Sequence, residues 1–215
     1  MKLGVFDSGI GGEAVAAALA VTFPAAEIST VNDKPNVPYG SKSPERVRTL
    51  TEAAVQPLLQ QSCDVIILAC NTATAHAIDY LRSRYPAQKF IGIEPMIKTA
   101  STATTSGVIA VCATPATLAS ERYHTLKAAY SQALTVLEPD CSDWAERIEQ
   151  NTLNETHIKN VINPLLAQGA DVIVLGCTHY HWIKDVIVDL ANGQAIVLEP
   201  SEAIGRRVTA LLQAA

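Results

Sequence analysis

Two cysteines lie in matching segments of the sequence and are well suited to acid–base chemistry. The segment Gln56–Cys70 returns as Asn163–Cys177, 107 positions later, with nine of fifteen residues identical. Each copy closes with an apolar run that ends in Cys, and small polar residues follow. Two matched thiols could remove a proton from one face of a carbon atom and return a proton to the other. The repeat therefore predicts racemisation chemistry.

Two further side chains could assist these thiols. A cysteine becomes an effective base only where a cation, a hydrogen bond or a helix N-terminus favours the thiolate. Helices are predicted to begin directly after Cys70 and Cys177, and their dipoles would supply part of this help. His179 could exchange a proton with Cys177. Asp7 could do the same for Cys70. The alternatives are a structural thiol for either cysteine and a turn-capping carboxylate for Asp7.

The first loop of the chain could bind an anion. Asp7-Ser8-Gly9-Ile10-Gly11-Gly12 follows an apolar run and opens a predicted helix, so its amides could hold a carboxylate. Gly9-x-Gly11-x-x-Ala14 also matches a dinucleotide fingerprint, and Asp33 stands near the position of a ribose-binding acid. In that case the Asp7 carboxylate would lie close to the pyrophosphate, which is also negatively charged, and this weakens the match. The fingerprint makes a dinucleotide-binding protein the alternative from another functional class.

The segment Asn32–Pro44 has no hydrophobic periodicity and is rich in residues that fix the backbone. We expect an ordered loop at a strand end, where Pro38, Tyr39, Gly40 and Ser41 line a ligand pocket. The Tyr39–Gly40 backbone and the Ser41 hydroxyl would donate hydrogen bonds to the ligand. The alternative is a packed connection without contact to a ligand.

A metal site is not predicted. Cys177-x-His179-x-His181 alternates soft ligands, but the first copy of the repeat has no histidine before His76, and the remaining ligands of a zinc site are missing. His181 is better explained as a residue of the first helical turn.

Eight short apolar runs separated by segments of helical length predict a parallel α/β sheet covered on both sides. The predicted strands are Leu3–Phe6, Ile28–Val31, Val65–Ala69, Phe90–Ile93, Val108–Val111, Leu134–Leu137, Val172–Leu175 and Ile196–Leu198. The predicted helices lie near residues 11–22, 44–61, 73–85, 114–130, 152–168, 181–191 and 201–214.

The repeat extends beyond the cysteines. Phe90–Pro95 and Ala195–Pro200 are both short strands that end in Glu-Pro. This predicts two pseudo-symmetric α/β domains. The first comprises residues 1–96 with the C-terminal helix at about 201–215, and the second comprises 97–200. Ligands of open parallel sheets bind beyond the carboxyl ends of the strands, where both cysteines are expected. We expect the active site in a cleft between the domains.

Composition favours small-molecule chemistry. The chain has 215 residues, 48% of them apolar, and a formal net charge of −5, without a long basic block. Neither nucleic acid nor a membrane is therefore an expected partner. Five cysteines without a C-x-x-C pair favour reduced thiols. No 18-residue apolar span or clear signal peptide is visible, so we expect a cytoplasmic protein.

Several motifs together resemble those of the glutamate racemases, in the family's order and over nearly the whole chain. They are Asp7–Gly12, Val37–Gly40, Ala69–Ala73, Ile93–Pro95, Ala113–Thr117 and Leu175–Tyr180. The resemblance implies a cofactor-independent amino-acid racemase of two α/β domains. Its substrate would be D- or L-glutamate, and its product would supply peptidoglycan synthesis for the cell wall. The resemblance is also compatible with a homodimer.

The resemblance also implies the roles of individual residues. Cys70 would act on the D-enantiomer and Cys177 on the L-enantiomer, assisted by Asp7 and His179, with Glu149 as a further acid near Cys177. The expected substrate-binding residues are Asp7, Ser8, Pro38, Tyr39, Gly40, Ser41, Asn71, Thr72, Thr114, Thr117, Thr178 and His179.

The chain departs from the family pattern at some positions, although none involves the two thiols. Asn36 stands where the family often has Arg, and the second half is shorter around Glu121–Gln132 and after Glu149. A racemase of aspartate or another acidic amino acid, and a relative that binds glutamate without inverting it, are the alternatives within the family.

Overall fold

The computed structural model describes residues 1–213, which form two compact units. The first unit comprises Met1–Glu94 and the segment from Pro200, and the second comprises Pro95–Glu199. The chain therefore passes between the units at the two repeated Glu-Pro pairs. The first domain was expected to end at residue 96, two residues after Glu94, and the second at residue 200, one residue after Glu199. The last two residues of the predicted C-terminal domain segment lie outside the described residues.

Each unit contains one four-stranded parallel sheet. The sheet of the first unit has the strand order β2-β1-β3-β4, and that of the second has β6-β5-β7-β8. The strands are β1 (Lys2–Asp7), β2 (Glu27–Asn32), β3 (Val65–Leu68), β4 (Phe90–Gly92), β5 (Val108–Ala113), β6 (Thr135–Leu137), β7 (Val172–Gly176) and β8 (Ile196–Leu198). All eight coincide with the apolar runs from which they were predicted, and the α/β fold class is confirmed.

Helices connect and cover the strands. They are α1 (Gly11–Thr22), α2 (Pro44–Gln60), α3 (Asn71–Arg84), α4 (Ile97–Ala103), α5 (Pro115–Leu118), α6 (Glu121–Tyr130), α7 (Trp144–Glu149), α8 (Glu155–Ala167), α9 (Lys184–Ala191) and α10 (Ser201–Gln213). Three short 3-10 turns lie at Lys34–Asn36, Tyr39–Ser41 and Thr178–Ile183. Within residues 1–213, no helix is both long and apolar enough to cross a membrane.

Both faces of each sheet are buried, which explains the continuous apolar runs. Along β3, Ile66 and Leu68 join the apolar cluster on one face, whereas Val65 and Ile67 join the cluster on the other. Along β7, Ile173 and Leu175 alternate in the same way with Val172 and Val174. Successive side chains of a strand point to opposite faces, so a sheet covered on both sides needs apolar residues at every position.

Three helical predictions were wrong in detail. The helix predicted over 114–130 is broken, because the Ser120 hydroxyl accepts a hydrogen bond from the Tyr123 amide at 3.2 Å and starts a new helix. The short helices α4 and α7 were not predicted. The residues after Cys177 form a 3-10 turn, and α9 begins only at Lys184.

Gly176, the last residue of β7, has no room for a side chain. A Cβ atom there would lie 2.8 Å from the Ala113 Cβ and 3.1 Å from the Cys112 carbonyl oxygen. Gly176→Ala is therefore expected to lower the free energy of unfolding by about 1–3 kcal/mol. Urea titrations followed by tryptophan fluorescence would measure this, because Trp144 and Trp182 both lie in the second unit.

Gly205→Ala is the matched control. Gly205 lies inside α10, and its Cβ atom would meet Thr22 Cγ2 at an ordinary contact distance of 3.4 Å. Alanine is the better helix former by about 0.5–1 kcal/mol, so this variant should be as stable as the wild type or more so by circular dichroism. Equal losses in both variants would contradict the packing explanation for Gly176.

Candidate active site

Asp7 and Cys70 lie at the same edge of the first sheet. Strands β1 and β3 are paired in parallel, with Phe6 opposite Leu68, so both residues emerge at the carboxyl ends of neighbouring strands. The Cys70 Sγ lies 3.3 Å from the Ser8 Oγ. Cys70 also caps α3, because its sulfur accepts a hydrogen bond from the Ala73 amide at 3.4 Å. The topology thus brings the first loop and the first cysteine together.

The Cys70 thiol is held in its neutral form. Burial raises the pKa of Cys70 to about 12, and the nearby Asp7 carboxylate adds to this increase. Hydrogen bonds from Ser8 and Ala73 oppose the increase without cancelling it. The expected help from the helix is present, because the Ala73 amide lowers the pKa of Cys70, but desolvation of the sulfur outweighs it.

Asp7 makes the turn-capping contact that was considered for it. It is fully buried, and its Oδ2 accepts a hydrogen bond from the Gly9 amide at 2.8 Å, which is a turn-capping contact. Gly12 packs directly against it, since a Cβ at Gly12 would lie 2.6 Å from the Asp7 Cβ. The carboxylate is therefore fixed beside the first cysteine by its own loop.

The hydroxyl groups of the second loop are engaged within that loop. Tyr39 is 2% exposed, and its hydroxyl donates to Asp33 at 2.7 Å. Asn36 donates to the same carboxylate at 2.9 Å. The exposed Ser41 hydroxyl donates to the Pro38 carbonyl at 3.3 Å. For these hydroxyls, the alternative of a packed connection describes the structure better, and Asp33 already accepts hydrogen bonds from two side chains.

The first turn of α3 carries a buried amide that lacks a partner. Asn71 is 5% exposed, and neither its side-chain nitrogen nor its oxygen has a hydrogen bond. Thr72, the next residue, is also buried. Buried polar groups are normally satisfied, so the unpaired amide next to Cys70 is available to a polar ligand.

The second unit repeats this geometry. Strands β5 and β7 are paired with Ala113 opposite Gly176, so Thr114 and Cys177 follow neighbouring strands at their carboxyl ends. The Thr114 Oγ1 caps the short helix α5 and lies 3.0 Å from the Thr117 Oγ1. All four of Thr114, Thr117, Cys177 and Thr178 are buried.

Cys177, His179 and Glu149 form a chain of contacts. The Cys177 Sγ lies 3.7 Å from the His179 Nδ1, and the His179 Nε2 lies 2.7 Å from a Glu149 oxygen. With Glu149 as the acceptor in this contact, the Nε2 would carry the donated proton. In a neutral imidazole, the Nδ1 is then free to accept the thiol proton. This is the geometry of a base that a third group orients.

His181 belongs to a different contact. Its Nε2 lies 3.5 Å from Glu199, so His179 and His181 face different carboxylates rather than one common site. Burial lowers the pKa of His181 although Glu199 opposes this effect. His181 lies in the 3-10 turn rather than in the first turn of α9.

Sequence analysis gave no role to Tyr180, which lies next to His179 and is completely buried. Its hydroxyl donates to the Cys141 carbonyl at 3.0 Å. Its ring contacts Trp144 edge-on, with ring centroids 5.2 Å apart. The only indication in the sequence was that Tyr180 directly follows His179, a candidate acid–base residue. The hydrogen bond to the Cys141 carbonyl could not be predicted from that position.

Comparison with known proteins places this chain in a family. The model of the Asp/Glu/hydantoin racemase family matches residues 12–204. A glutamate racemase from Herpetosiphon aurantiacus is 39% identical, over 99% of this chain and 85% of that protein. The crystal structure of Escherichia coli glutamate racemase with L-glutamate and the activator UDP-MurNAc-Ala is similar with a TM-score of 0.90 and 25% identity, covering 99% and 82% of the two chains.

A further solved structure is glutamate racemase from Francisella tularensis in complex with D-glutamate. It is similar with a TM-score of 0.82 and 27% identity, covering 99% of this chain and 81% of that chain. The family model covers far more than half of the sequence, and the identity to curated relatives extends over nearly all of it. This chain belongs to the Asp/Glu/hydantoin racemase family, together with the glutamate racemases.

Proposed function

We propose that this chain interconverts L- and D-glutamate without a cofactor, with Cys70 and Cys177 acting on opposite faces of one α-carbon. The observation that carries the proposal is the duplicated cysteine, which ends a buried strand in each unit. Each thiol has its own proton partners nearby. Ser8 and Asp7 lie beside Cys70, and His179 with Glu149 lies beside Cys177.

The reaction from L- to D-glutamate begins at Cys177. His179 accepts the thiol proton through its Nδ1, and the thiolate then takes the α-proton of L-glutamate. The electron pair moves into the α-carboxylate, where buried hydroxyls and amides stabilise the charge. The neutral Cys70 thiol donates its proton to the opposite face. The high pKa of Cys70 suits this donor role because it keeps the proton on sulfur until the carbanion forms.

The reverse reaction needs Cys70 as the base. Its thiolate takes the α-proton of D-glutamate, and the Cys177 thiol protonates the other face. Asp7, whose carboxylate acts electrostatically on Cys70, is the candidate to take the proton from Cys70 first. A bound substrate ammonium group near the sulfur would also favour the thiolate. Both cysteines thus exchange the roles of acid and base between the two directions.

Substrate recognition is proposed to rest on buried polar groups around each thiol. The unpaired Asn71 amide would bind the amino or carboxylate group, together with Ser8 and Thr72 in the first unit. Thr114, Thr117, Thr178 and His179 would contribute from the second unit. The contribution of Pro38–Ser41 would come from its backbone, because the Tyr39 and Ser41 hydroxyls already have partners.

Purified protein should invert L-glutamate and D-glutamate in a circular-dichroism assay without any added cofactor. In deuterium oxide, solvent deuterium should enter the α-position of both enantiomers, because each thiol exchanges its proton with water. Inversion of aspartate alone would show that aspartate, rather than glutamate, is the substrate. Absence of inversion and exchange with both amino acids would contradict the proposal, and calorimetry with NAD(P) would then test the dinucleotide alternative.

The proposed setting is the cytoplasm, where D-glutamate would supply peptidoglycan synthesis and thereby maintain cell shape. A homodimer is proposed from the family resemblance. Fractionation of cells and light scattering of the purified protein would test these two statements separately from the activity.

A further inference from the structure

We infer that Tyr180 is a positioning residue that sets the contact between Glu149 and His179 and so tunes the Cys177 side of the reaction. The inference rests on the proposed racemase function. Tyr180 follows His179 directly but does not itself transfer protons in the proposed reaction. Burial raises the pKa of Tyr180, so its hydroxyl stays protonated and acts as a hydrogen-bond donor.

Tyr180 is fixed at both ends. Its amide donates to the Cys177 carbonyl at 3.0 Å, which closes the tight turn that carries Cys177 and His179. Its hydroxyl donates to the Cys141 carbonyl at 3.0 Å. Its ring packs against Trp144, the first residue of α7. The side chain therefore ties the cysteine turn to the beginning of α7.

The same helix ends in the residue that orients the imidazole. The Cys141 carbonyl also accepts a hydrogen bond from the Trp144 amide at 3.2 Å, so the Tyr180 hydroxyl and the first residue of α7 share one acceptor. α7 is only six residues long and ends at Glu149. Glu149, at the end of this helix, lies 2.7 Å from the His179 Nε2, so we expect a shift at the start of α7 to alter this contact.

A closed ring of contacts results from these bonds. It runs from His179 along the chain to Tyr180, through its hydroxyl to Cys141, along α7 to Glu149, and back to His179. Loss of the hydroxyl would open this ring without removing any group that touches the substrate. Small misplacements of an acid–base group can cost large factors in rate.

The test is Tyr180→Phe, which keeps the ring and removes the hydroxyl. We expect kcat/KM to fall about tenfold. The kinetic isotope effect should rise with α-deuterated L-glutamate, because proton abstraction on the Cys177 side becomes slower relative to the other steps. It should fall with α-deuterated D-glutamate, whose isotope-sensitive step occurs at Cys70. General loosening of the fold would not change the two isotope effects in opposite directions.

Tyr123→Phe is the matched control. Tyr123 is also buried in the second unit and donates its hydroxyl to Glu138 at 2.6 Å, but it belongs to the apolar cluster that does not contain Cys177. It should keep wild-type isotope effects. A double-mutant cycle with Glu149→Ala adds a second criterion, since Tyr180→Phe should cost less than about twofold once position 149 has no acceptor to orient His179.

The outcomes separate this inference from the proposed function. Unchanged isotope effects in a folded Tyr180→Phe variant, or full additivity with Glu149→Ala, would overturn the positioning role while wild-type racemisation stands. A wild-type protein without racemase activity would overturn the proposed function and the inference with it. If Tyr180→Phe does not fold, Trp144→Phe loosens the same contact, and wild-type isotope effects there would equally count against the role.

Discussion

Replacing Cys70 or Cys177 by Ala is expected to lower kcat/KM for glutamate racemisation by about 10²–10⁴-fold, because each change removes one acid–base group. The loss must be equal in both directions for a given variant. Enantiomers have equal free energy in water, so the ratio of the two kcat/KM values equals the equilibrium constant of one. A polarimetric assay that starts from either enantiomer measures both values.

Deuterium exchange gives the two variants different signatures. Cys177→Ala keeps the thiol proposed to act on D-glutamate, so it should exchange the α-hydrogen of that enantiomer with solvent without inverting it. Cys70→Ala should do so only with L-glutamate. Inversion of glutamate at the wild-type rate by either variant would refute the two-base mechanism.

Two other buried cysteines provide controls for these variants. Cys63 lies in the first unit and Cys112 in the second, and both are almost completely buried. Neither is proposed to contact the substrate. Cys63→Ala and Cys112→Ala should therefore keep the wild-type kcat/KM, even where the lost sulfur lowers stability.

The central strands were predictable from the sequence because they are uninterrupted apolar runs. Val65–Leu68 and Val172–Gly176 are buried on both faces, and this leaves a direct signal in composition. The short helix α7 left none, because its six residues are too few to show a period and only Trp144 and Ala145 are buried. The break between α5 and α6 depends on a single hydroxyl cap at Ser120.

The candidate site was predictable to a different extent. The repeat located Cys70 and Cys177, and strand pairing in parallel sheets explains why Asp7 and Thr114 lie at the same edges. The ionisation state of Cys70 was not predictable, because it depends on how completely the folded chain removes water from the sulfur. Partners of individual hydroxyls, such as those of Tyr39 and Ser41, depend on loop conformation in the same way.

Ionisation of Cys70 in the protein without ligand is expected only near pH 12, and at lower pH in Asp7→Asn. Burial is the main cause of the raised pKa, and the negative charge of Asp7 is the second, so the amide variant loses only the second contribution. The difference in thiolate absorbance between each protein and its Cys70→Ala derivative measures the titration. Asp64→Asn is the control, and the pKa of Cys70 should not change in it. Asp64 precedes β3 and so lies at the opposite end of that strand from Cys70, where it accepts a hydrogen bond from the Lys2 amide.

The same shift predicts alkaline instability. The pKa of Cys70 is raised in the folded protein above its ordinary value of 9.0, so the unfolded chain releases this proton first. The contribution of Cys70 to stability is therefore complete below about pH 9 and is lost as the pH rises towards 12. Urea titrations across this range should show a steeper loss in the wild type than in Cys70→Ala. Parallel curves would contradict the raised pKa.

Racemisation by Asp7→Asn distinguishes two roles of the carboxylate, because they predict opposite changes in rate. With a pKa of about 12, roughly one Cys70 in 10⁴ is ionised at pH 8, so base catalysis by this thiol is limited by its ionisation. If Asp7 only opposes the thiolate, its neutralisation should raise the rate. If Asp7 accepts the Cys70 proton, as proposed, kcat/KM should fall about 10²-fold although the pKa of the thiol also falls. A variant with a lower Cys70 pKa and faster inversion would remove Asp7 from the mechanism and leave the substrate ammonium group as the source of the thiolate.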